Sequence, residues 1–344
     1  MAHISRLRPW HRPDPQGPPV LSESAWVSRR QVLRALGFGG LSASLLGRSL
    51  VHADDDPPEG AAPAAEPGYA RSERWVPSWA PPGEAEHWPP RRNPAFDPGR
   101  ALTPEGVAAT HNNFYEFYPY GARDLTRFTT AFNGRPWTVR VAGEVEEEFD
   151  LDLDELGNLA PLEERYYRFR CVEAWSMTVP WVGYPLSALI ERCRPTEAAR
   201  YVRFVSFEDR EVAPGFDRAD HYPWPYYEGL RMDEAMHPLT LCTLGIFGHA
   251  LPTQHGAPFR VIVPWKYGYK SPKSVVRIEF TSEQPSTFWY DLQPSEYPFL
   301  SNVEPEVPHP RWSQAEERDI ATGDRRPTLL YNGYADEVGS LYQG

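Results

Sequence analysis

The chain has 344 residues, of which 41% are hydrophobic and 13% aromatic, so it can bury the core of one large domain or two ordinary ones. Its formal net charge of −12 at pH 7 excludes proteins that bind nucleic acid through a basic surface, and we expect no nucleic-acid partner. The three cysteines, Cys171, Cys193 and Cys242, are too few for a disulfide scaffold.

The first feature in chain order is an arginine pair followed by a weakly apolar run. Residues 28–53 read SRRQVLRALGFGGLSASLLGRSLVHA, with Arg29 and Arg30 ahead of a weakly apolar run. This layout predicts that residues 1–53 are a twin-arginine signal peptide, cleaved after Ala53; the alternative is a mature amphipathic helix. Because the twin-arginine route carries folded proteins, chiefly those loaded with a cofactor in the cytoplasm, we expect a periplasmic cofactor enzyme.

A spacer follows the leader. Residues 54–100 are rich in proline, alanine and charge and show no hydrophobic period, which is typical of an extended segment. Trp75, Trp79 and Trp88 are its candidate docking points on the remainder of the chain. From residue 101 to residue 344 the composition becomes globular, and we predict one catalytic domain there.

The globular part shows more strand than helix signals. Runs rich in β-branched and aromatic residues predict strands. Proline followed by apolar residues on one face predicts a helix over Pro185–Cys193. A second helix is predicted near Met232–Met236. These signals favour an α+β fold with mixed and antiparallel β-sheets and few helices. The predicted strands are Trp137–Ala142, Tyr166–Val172, Tyr201–Phe207, Phe259–Val263 and Val275–Phe280.

Cys171 is the cysteine with cationic neighbours. It lies in YYRFRCVEAWSM (166–177), flanked by Arg168 and Arg170. Adjacent guanidinium groups are expected to lower the pKa of its thiol, and a thiolate is a nucleophile or a ligand for a soft metal. The alternative is a small buried hydrophobic residue, an interpretation that fits Cys193 and Cys242.

Two further stretches carry polar groups suited to a ligand. HNNFYEF (111–117) offers two amides, a phenol and a carboxylate among aromatic residues. VPWKYGYKSPK (263–273) contains all three lysines of the chain, Lys266, Lys270 and Lys273. With Arg260 upstream and a glycine in the loop, they predict an anion site of phosphate type; the alternative is a solvated charged loop.

Long blocks of this sequence resemble one enzyme family. They include PLEERYYRFRCVEAWSMTVPWVGYPL, EGLRMDEAMHPLTLCTLGIFG, GAPFRVIVPWKYGYKSPKS and HPRWSQAEER, in that order behind the leader. The blocks are similar to molybdopterin enzymes of the sulfite oxidase fold, and within them to the exported catalytic subunits of bacterial methionine sulfoxide reductases (the MsrP type). The resemblance covers most of 107–344 and implies the sulfite oxidase molybdopterin-binding fold.

The resemblance also implies a Mo-molybdopterin cofactor with Cys171 as the metal ligand. It assigns no catalytic side chain. His255 stands where the family commonly has asparagine, and Ser206 where threonine is usual. Glu173, Trp175 and Trp265 are either pocket walls or core. The residues that the resemblance assigns to the cofactor are Asn112, Tyr115, Glu116, Cys171, Ser206, His255, Arg260, Ser271, Pro272 and Lys273.

The activity implied is reduction of methionine sulfoxide in oxidised periplasmic proteins, by oxygen-atom transfer to molybdenum. The electrons are expected from a haem-containing membrane subunit, because the chain shows no C-x-x-C-H motif. Two alternatives stay open at this point. One is a molybdoenzyme that oxidises sulfite, and the other is an exported, non-catalytic β-sandwich binding protein.

Overall fold

The computed structural model describes residues 90–343. The expected signal peptide and the spacer tryptophans Trp75, Trp79 and Trp88 lie outside the described residues. The division into leader, spacer and catalytic domain therefore stays a prediction.

Two β-sheets form the framework of residues 90–343. The twelve strands are β1 (Thr138–Gly143), β2 (Phe149–Asp152), β3 (Glu163–Arg170), β4 (Trp175–Pro185), β5 (Tyr201–Ser206), β6 (Tyr227–Arg231), β7 (Leu241–Ile246), β8 (His249–Ala250), β9 (Arg260–Ile262), β10 (Val275–Thr281), β11 (Glu316–Asp319) and β12 (Arg325–Pro327). One sheet has the order β2-β1-β10-β5-β6, in which only β1 and β10 are parallel. The other has the order β12-β11-β4-β7-β8, with β3 beside β4 and β9 beside β7, and only β11 and β4 are parallel.

The helices of the described part are short. They are α1 (Glu105–Ala109), α2 (Leu153–Asn158), α3 (Leu186–Cys193), α4 (Gly215–Arg218), α5 (Met232–Ala235), α6 (Phe288–Leu292) and α7 (Ala335–Val338). None of the helices within residues 90–343 combines the length and apolarity needed to cross a bilayer. The predicted α+β architecture with mixed sheets and few helices is confirmed.

The predicted elements agree with the structure to within a few residues. Helix α3 begins directly after Pro185 and buries Leu186, Leu189, Ile190 and Cys193, the face that the sequence indicated. Seven strands within residues 90–343 were not predicted, namely β2, β4, β6, β7, β8, β11 and β12. Two of them, β4 and β7, are buried along almost their whole length. Strands covered on both sides lose the polar alternation by which a half-exposed strand is recognised.

One hydrophobic cluster joins the two sheets. It contains Val141 and Phe204 from the five-stranded sheet, and Val179 and Leu244 from the seven-stranded sheet. Inward-facing residues of two packed sheets form such a core and fix the positions of the loops at the sheet edges. The loops that follow β3 and β9 carry most of the residues of interest.

Residues just before position 101 are packed against the body. Asn93 N–H donates to Glu164 O at 2.8 Å, and Phe96 stacks edge-on against Tyr167 with ring centroids 5.8 Å apart. Arg100 pairs with the buried carboxylate of Glu317 at 2.8 Å. The end of the proline-rich segment is therefore held by specific contacts to the second sheet.

Candidate cofactor site

Cys171 lies in the turn that joins β3 to β4. Its N–H donates to Trp175 O at 2.9 Å, and Ala174, with φ of 63°, closes the turn. The side chain is only 7% exposed. The Glu173 backbone N–H and the Asn113 amide, whose Nδ2 lies 3.6 Å from Sγ, both donate to the sulfur. The thiol is thus held at the end of a strand with two donors directed at it.

The prediction that the pKa of the Cys171 thiol is lowered is wrong for the protein without a metal. Burial raises the pKa of this thiol to about 12, and the nearby Glu173 carboxylate acts in the same direction. The neighbouring arginines have partners of their own: Arg170 donates to Gln314 Oε1 at 2.8 Å, and Arg168 donates to Gly333 O at 3.0 Å. A coordinated metal ion would replace the thiol proton, because the thiolate is the ligand form.

The two amides of the HNNFYEF stretch have different roles. Asn113 Nδ2 lies 2.9 Å from Glu173 Oε2 as well as near Cys171, and its Oδ1 is buried with no hydrogen-bond partner among residues 90–343. The Asn112 amide instead donates to Ala109 O at 2.8 Å, at the end of α1. Asn113 was not among the predicted cofactor residues of this stretch, which were Asn112, Tyr115 and Glu116. Both amides were visible in the motif, but only the fold shows which one faces the thiol.

Tyr115 and Glu116 continue the same segment. The Tyr115 ring stands edge-on to Trp289 with centroids 5.0 Å apart, and burial raises the pKa of its hydroxyl. Burial also raises the pKa of Glu116, while the charge of Lys273 opposes that shift. The segment therefore presents an aromatic ring and a buried carboxyl close to the Lys273 cation, which lies in the loop over residues 263–273, here called the lysine loop.

The prediction that three lysines form one anion site is wrong for two of them. Lys266 Nζ lies 2.5 Å from Glu234 Oε1, and Lys270 Nζ lies 2.6 Å from Glu228 Oε2. All four side chains are removed from water. A buried ammonium group needs a carboxylate and hydrogen-bond acceptors to balance its lost hydration, so these two lysines are occupied inside the protein.

A network that reaches Tyr342 completes the surroundings of Lys266. The Tyr342 hydroxyl donates to Glu234 Oε1 at 2.7 Å and accepts a hydrogen bond from Trp265 Nε1 at 2.7 Å. Trp265 is fully buried, so it belongs to the core and not to a pocket wall. Asn302 Oδ1 accepts from Lys266 Nζ at 2.7 Å. These contacts fix the start of the loop from three separate parts of the chain.

Lys273 and Arg260 differ from the other two loop cations. Within residues 90–343 neither has a carboxylate at ion-pair distance. Lys273 Nζ donates to Asn113 O at 2.8 Å, and Arg260 donates to His255 O at 2.7 Å and Ser271 O at 3.1 Å. Arg260 Nε is buried without a partner in the same part of the chain, and burial lowers the pKa of this guanidinium to about 9. Two cations that lie close together without a carboxylate at ion-pair distance suit a phosphate group.

His255 lies beside these cations. Its Nε2 is buried without a hydrogen-bond partner among the described residues. Burial and, after it, the charge of Arg260 lower the pKa of the imidazole to about 3, so the ring is neutral at ordinary pH. A neutral imidazole offers one donor and one acceptor, as an asparagine side chain does.

Ser206, Ser271 and Pro272 shape the loop through the main chain. Ser206 Oγ donates to Lys273 O at 2.7 Å, and Ser271 Oγ accepts from Val263 N–H at 3.1 Å. Pro272 O accepts from Val261 N–H at 3.1 Å. The two side-chain hydroxyls are therefore engaged with the backbone, and these residues position Lys273 next to Arg260.

The loop over residues 263–273 is in direct contact with β3, the strand that leads to Cys171. A Cβ added to Gly268 would lie 2.6 Å from a ring atom of Phe169, so only glycine fits there. From the loop, Lys273 binds Asn113 O, and the Asn113 amide reaches Cys171. The structure thus brings together Cys171, Asn113 and Lys273, with Arg260 and His255 next to Lys273.

These residues fit a molybdenum cofactor. Three buried polar atoms without partners in the described part of the chain, Asn113 Oδ1, His255 Nε2 and Arg260 Nε, suit a polar ring system. Lys273 and Arg260 suit a phosphate, and the thiol of Cys171 suits a soft metal. No group of three or more His, Cys, Asp or Glu side chains within residues 90–343 is arranged to hold a metal ion.

Comparison with protein families gives the same assignment. Residues 128–289 match the family model of the oxidoreductase molybdopterin binding domain. Residues 128–289 are therefore similar to a molybdopterin-binding oxidoreductase domain. Mo-molybdopterin is its cofactor, and the predicted molybdopterin-binding fold is confirmed. The matched segment contains Cys171 and the loop to Lys273, whereas Asn113, Tyr115 and Glu116 precede it.

A comparison of structures finds a chain from the crystal structure of the sulfane dehydrogenase SoxCD from Paracoccus pantotrophus. The sequence identity is 16% and the TM-score 0.38. The similar region covers 47% of the present chain and 42% of that chain, so it spans less than half of the relative's length.

Proposed function

We propose that this molybdopterin oxidoreductase reduces methionine sulfoxide in exported proteins. The overall reaction converts a sulfoxide, two electrons and two protons into a thioether and water. The bound cofactor supplies a two-electron centre for oxygen-atom transfer. The long sequence blocks shared with methionine sulfoxide reductases support this choice within the molybdenum oxidoreductases.

In this proposal the residues around Cys171 hold the cofactor and receive the substrate. Cys171 provides the protein sulfur ligand, and Arg260 and Lys273 bind the phosphate. His255 Nε2 and Asn113 Oδ1, both without partners among residues 90–343, provide hydrogen bonds to the polar ring system. The aromatic rings of Tyr115 and Trp289 exclude water from one side of the site.

The observation that favours a sulfoxide over sulfite is the charge next to the thiol. The groups directed at Cys171 are the Asn113 amide and the Glu173 backbone, and the Glu173 carboxylate is close by. Arg170 is engaged with Gln314 and with Glu317, whose Oε2 lies 3.3 Å from its Nε. A neutral, polar sulfoxide is compatible with a carboxylate neighbour, whereas a sulfite anion would be repelled by it.

The site is proposed to receive electrons from a haem-containing membrane partner. This part of the proposal rests on the absence of a haem-attachment motif from the sequence and on the resemblance stated above. The alternative function, a non-catalytic binding protein, is disfavoured because residues 128–289 match an oxidoreductase domain.

The experiment uses the natively exported protein. Molybdenum and pterin content are measured first, and then the reduction of methionine sulfoxide with a reduced viologen dye and the oxidation of sulfite with ferricyanide. We expect sulfoxide turnover, no sulfite turnover, and loss of molybdenum in Cys171→Ser. Cys193→Ser, which alters another buried cysteine, is the matched control and should keep its metal. Sulfite turnover without sulfoxide turnover would reverse the assignment.

A further inference from the structure

A group of arginines and aromatic rings lies on the surface close to the cysteine turn. Tyr120 is 64% exposed, and the side chains of Arg127 and Arg218 are also exposed. We call this group the arginine rim. It consists of Arg123, Arg127, Arg218, Tyr118, Tyr120 and Phe128.

Cation–π contacts hold the rim together. Arg123 lies 4.2 Å above the Tyr118 ring, Arg127 lies 4.6 Å above the Phe128 ring, and Arg218 lies 5.1 Å from the same ring. These contacts orient the guanidinium groups without neutralising them, because an aromatic ring carries no net charge. The donors of the arginines remain usable by a carboxylate.

The rim carries net positive charge in an acidic protein. None of its three arginines has a carboxylate at ion-pair distance within the described ranges, and Arg123 Nε has no hydrogen-bond partner there. Asp124 is the acid that interacts with Arg127 and Arg123 through charge, and its carboxylate accepts hydrogen bonds from Thr126. The six rim residues themselves carry three positive charges and no carboxylate.

The main chain connects the rim to the candidate site. Arg123 N–H donates to Asn112 O at 3.0 Å, and Asn112 N–H donates to Arg123 O at 3.0 Å. The next residue, Asn113, reaches the sulfur of Cys171. A Cβ added to Gly121 would lie 3.7 Å from Glu173 Oε1, so the loop between Tyr118 and Arg123 borders the cysteine turn.

We infer that the arginine rim binds acidic residues that flank the oxidised methionine of a polypeptide substrate. This inference rests on the proposed function, because it specifies which protein segments reach that site. An extended polypeptide advances about 3.3–3.6 Å per residue, so side chains a few positions from a bound sulfoxide extend past the site onto the surrounding surface. Carboxylates are the groups that unpaired guanidinium forks bind best.

The test compares three methionine sulfoxide peptides of equal length with acidic, neutral or basic flanks. Turnover with a reduced viologen dye and binding by fluorescence anisotropy are measured for the holoenzyme at low and at high salt. We expect kcat/KM for the acidic peptide to exceed that for the basic peptide about tenfold at low salt, with the difference reduced at high salt. The triple variant Arg123→Gln, Arg127→Gln, Arg218→Gln should lose this preference and keep its turnover of free methionine sulfoxide.

A second triple variant, Arg192→Gln, Arg200→Gln, Arg277→Gln, removes the same charge from exposed positions elsewhere and should keep the acidic preference. Equal values for the three peptides in the wild type, or equal losses in both triple variants, overturn the inference. If no sulfoxide is reduced but the acidic peptide still binds through the rim, the proposed function fails while the binding surface stands. Molybdenum content and thermal midpoints verify that both variants are folded and loaded.

Discussion

Lys270 Nζ lies 2.6 Å from Glu228 Oε2 in the interior, and it also donates to Gly229 O at 2.7 Å. An intact buried ion pair contributes little net stability, but removal of one partner leaves a charge without compensation. The pair lies three residues before Lys273 and anchors the loop that carries it. Lys270 is therefore occupied inside the protein and is not available to a phosphate.

Lys270→Met is expected to lower the free energy of unfolding by about 3–5 kcal/mol, because Glu228 would remain buried and charged without its partner. The double variant Lys270→Met, Glu228→Gln should recover more than half of that loss. Urea unfolding of the four proteins in the double-mutant cycle measures both values. A loss below about 1 kcal/mol in the single variant would show that the pair is solvated and not buried.

Arg260→Met should separate cofactor binding from stability. The wild-type guanidinium is buried, and within residues 90–343 no carboxylate balances it, so its removal should stabilise the cofactor-free protein by about 1–3 kcal/mol. The same change should reduce the molybdenum and pterin content of the purified protein severalfold. Arg165→Met is the control, because that buried arginine pairs with Glu163 and its loss should lower stability instead. Full cofactor content in Arg260→Met would remove Arg260 from the phosphate site.

Acid stability should depend on His255, whose pKa is lowered by burial to about 3. Above pH 6.5 the imidazole is neutral in both the folded and the unfolded protein, so the contribution to stability is fully present there. As the pH falls from 6.5 towards 3, the unfolded chain takes up a proton that the buried ring does not. The free energy of unfolding should then fall by about 1.4 kcal/mol per pH unit.

His255→Asn provides the check on that slope. Asparagine does not titrate, so urea unfolding of the cofactor-free variant between pH 4 and pH 6.5 should show a shallower pH dependence than the parent by about that amount. Parallel curves would place the titrating group elsewhere.

The neighbouring asparagines should respond differently to truncation. Asn113→Ala removes the amide that contacts Cys171 and Glu173, and we expect kcat/KM for methionine sulfoxide to fall about tenfold or more, as for other residues that support a metal ligand. Asn112→Ala removes a hydrogen bond to the end of α1 and should lower the free energy of unfolding by about 1 kcal/mol. Steady-state kinetics and thermal unfolding of both variants distinguish the two roles, and a reversed pattern would exchange them.

Much of the architecture could be predicted from local sequence. Helix α3 and the strands β1, β5 and β10 have clear periodic patterns, so the structure confirms them within a residue or two. Strands β4 and β7 could not be found in this way, because a strand buried on both sides resembles any other apolar run. The site residues were predicted only in part. Cys171 was recognised by its cationic neighbours in the sequence, whereas nothing in the sequence distinguished Asn113 from Asn112.

The electrostatic predictions failed where the partners are distant in sequence. Lys266 and Lys270 form a cluster along the chain, but Glu234 and Glu228, which neutralise them, come from other elements. In the same way Arg170 lies next to Cys171 in sequence, while its guanidinium binds Gln314, 144 positions away. Proximity in sequence does not show which charged side chains are free to bind a ligand. A buried charge needs a partner, and that partner can come from any part of the fold.

The Tyr342 hydroxyl, which lies near Lys266, also affects the order in which contacts can form during biosynthesis. It contacts Trp265 and Glu234, residues that precede it by 77 and 108 positions. During translation these two hydrogen bonds can form only after residue 342 has left the ribosome. A nascent chain that ends before residue 342 would therefore lack both of them.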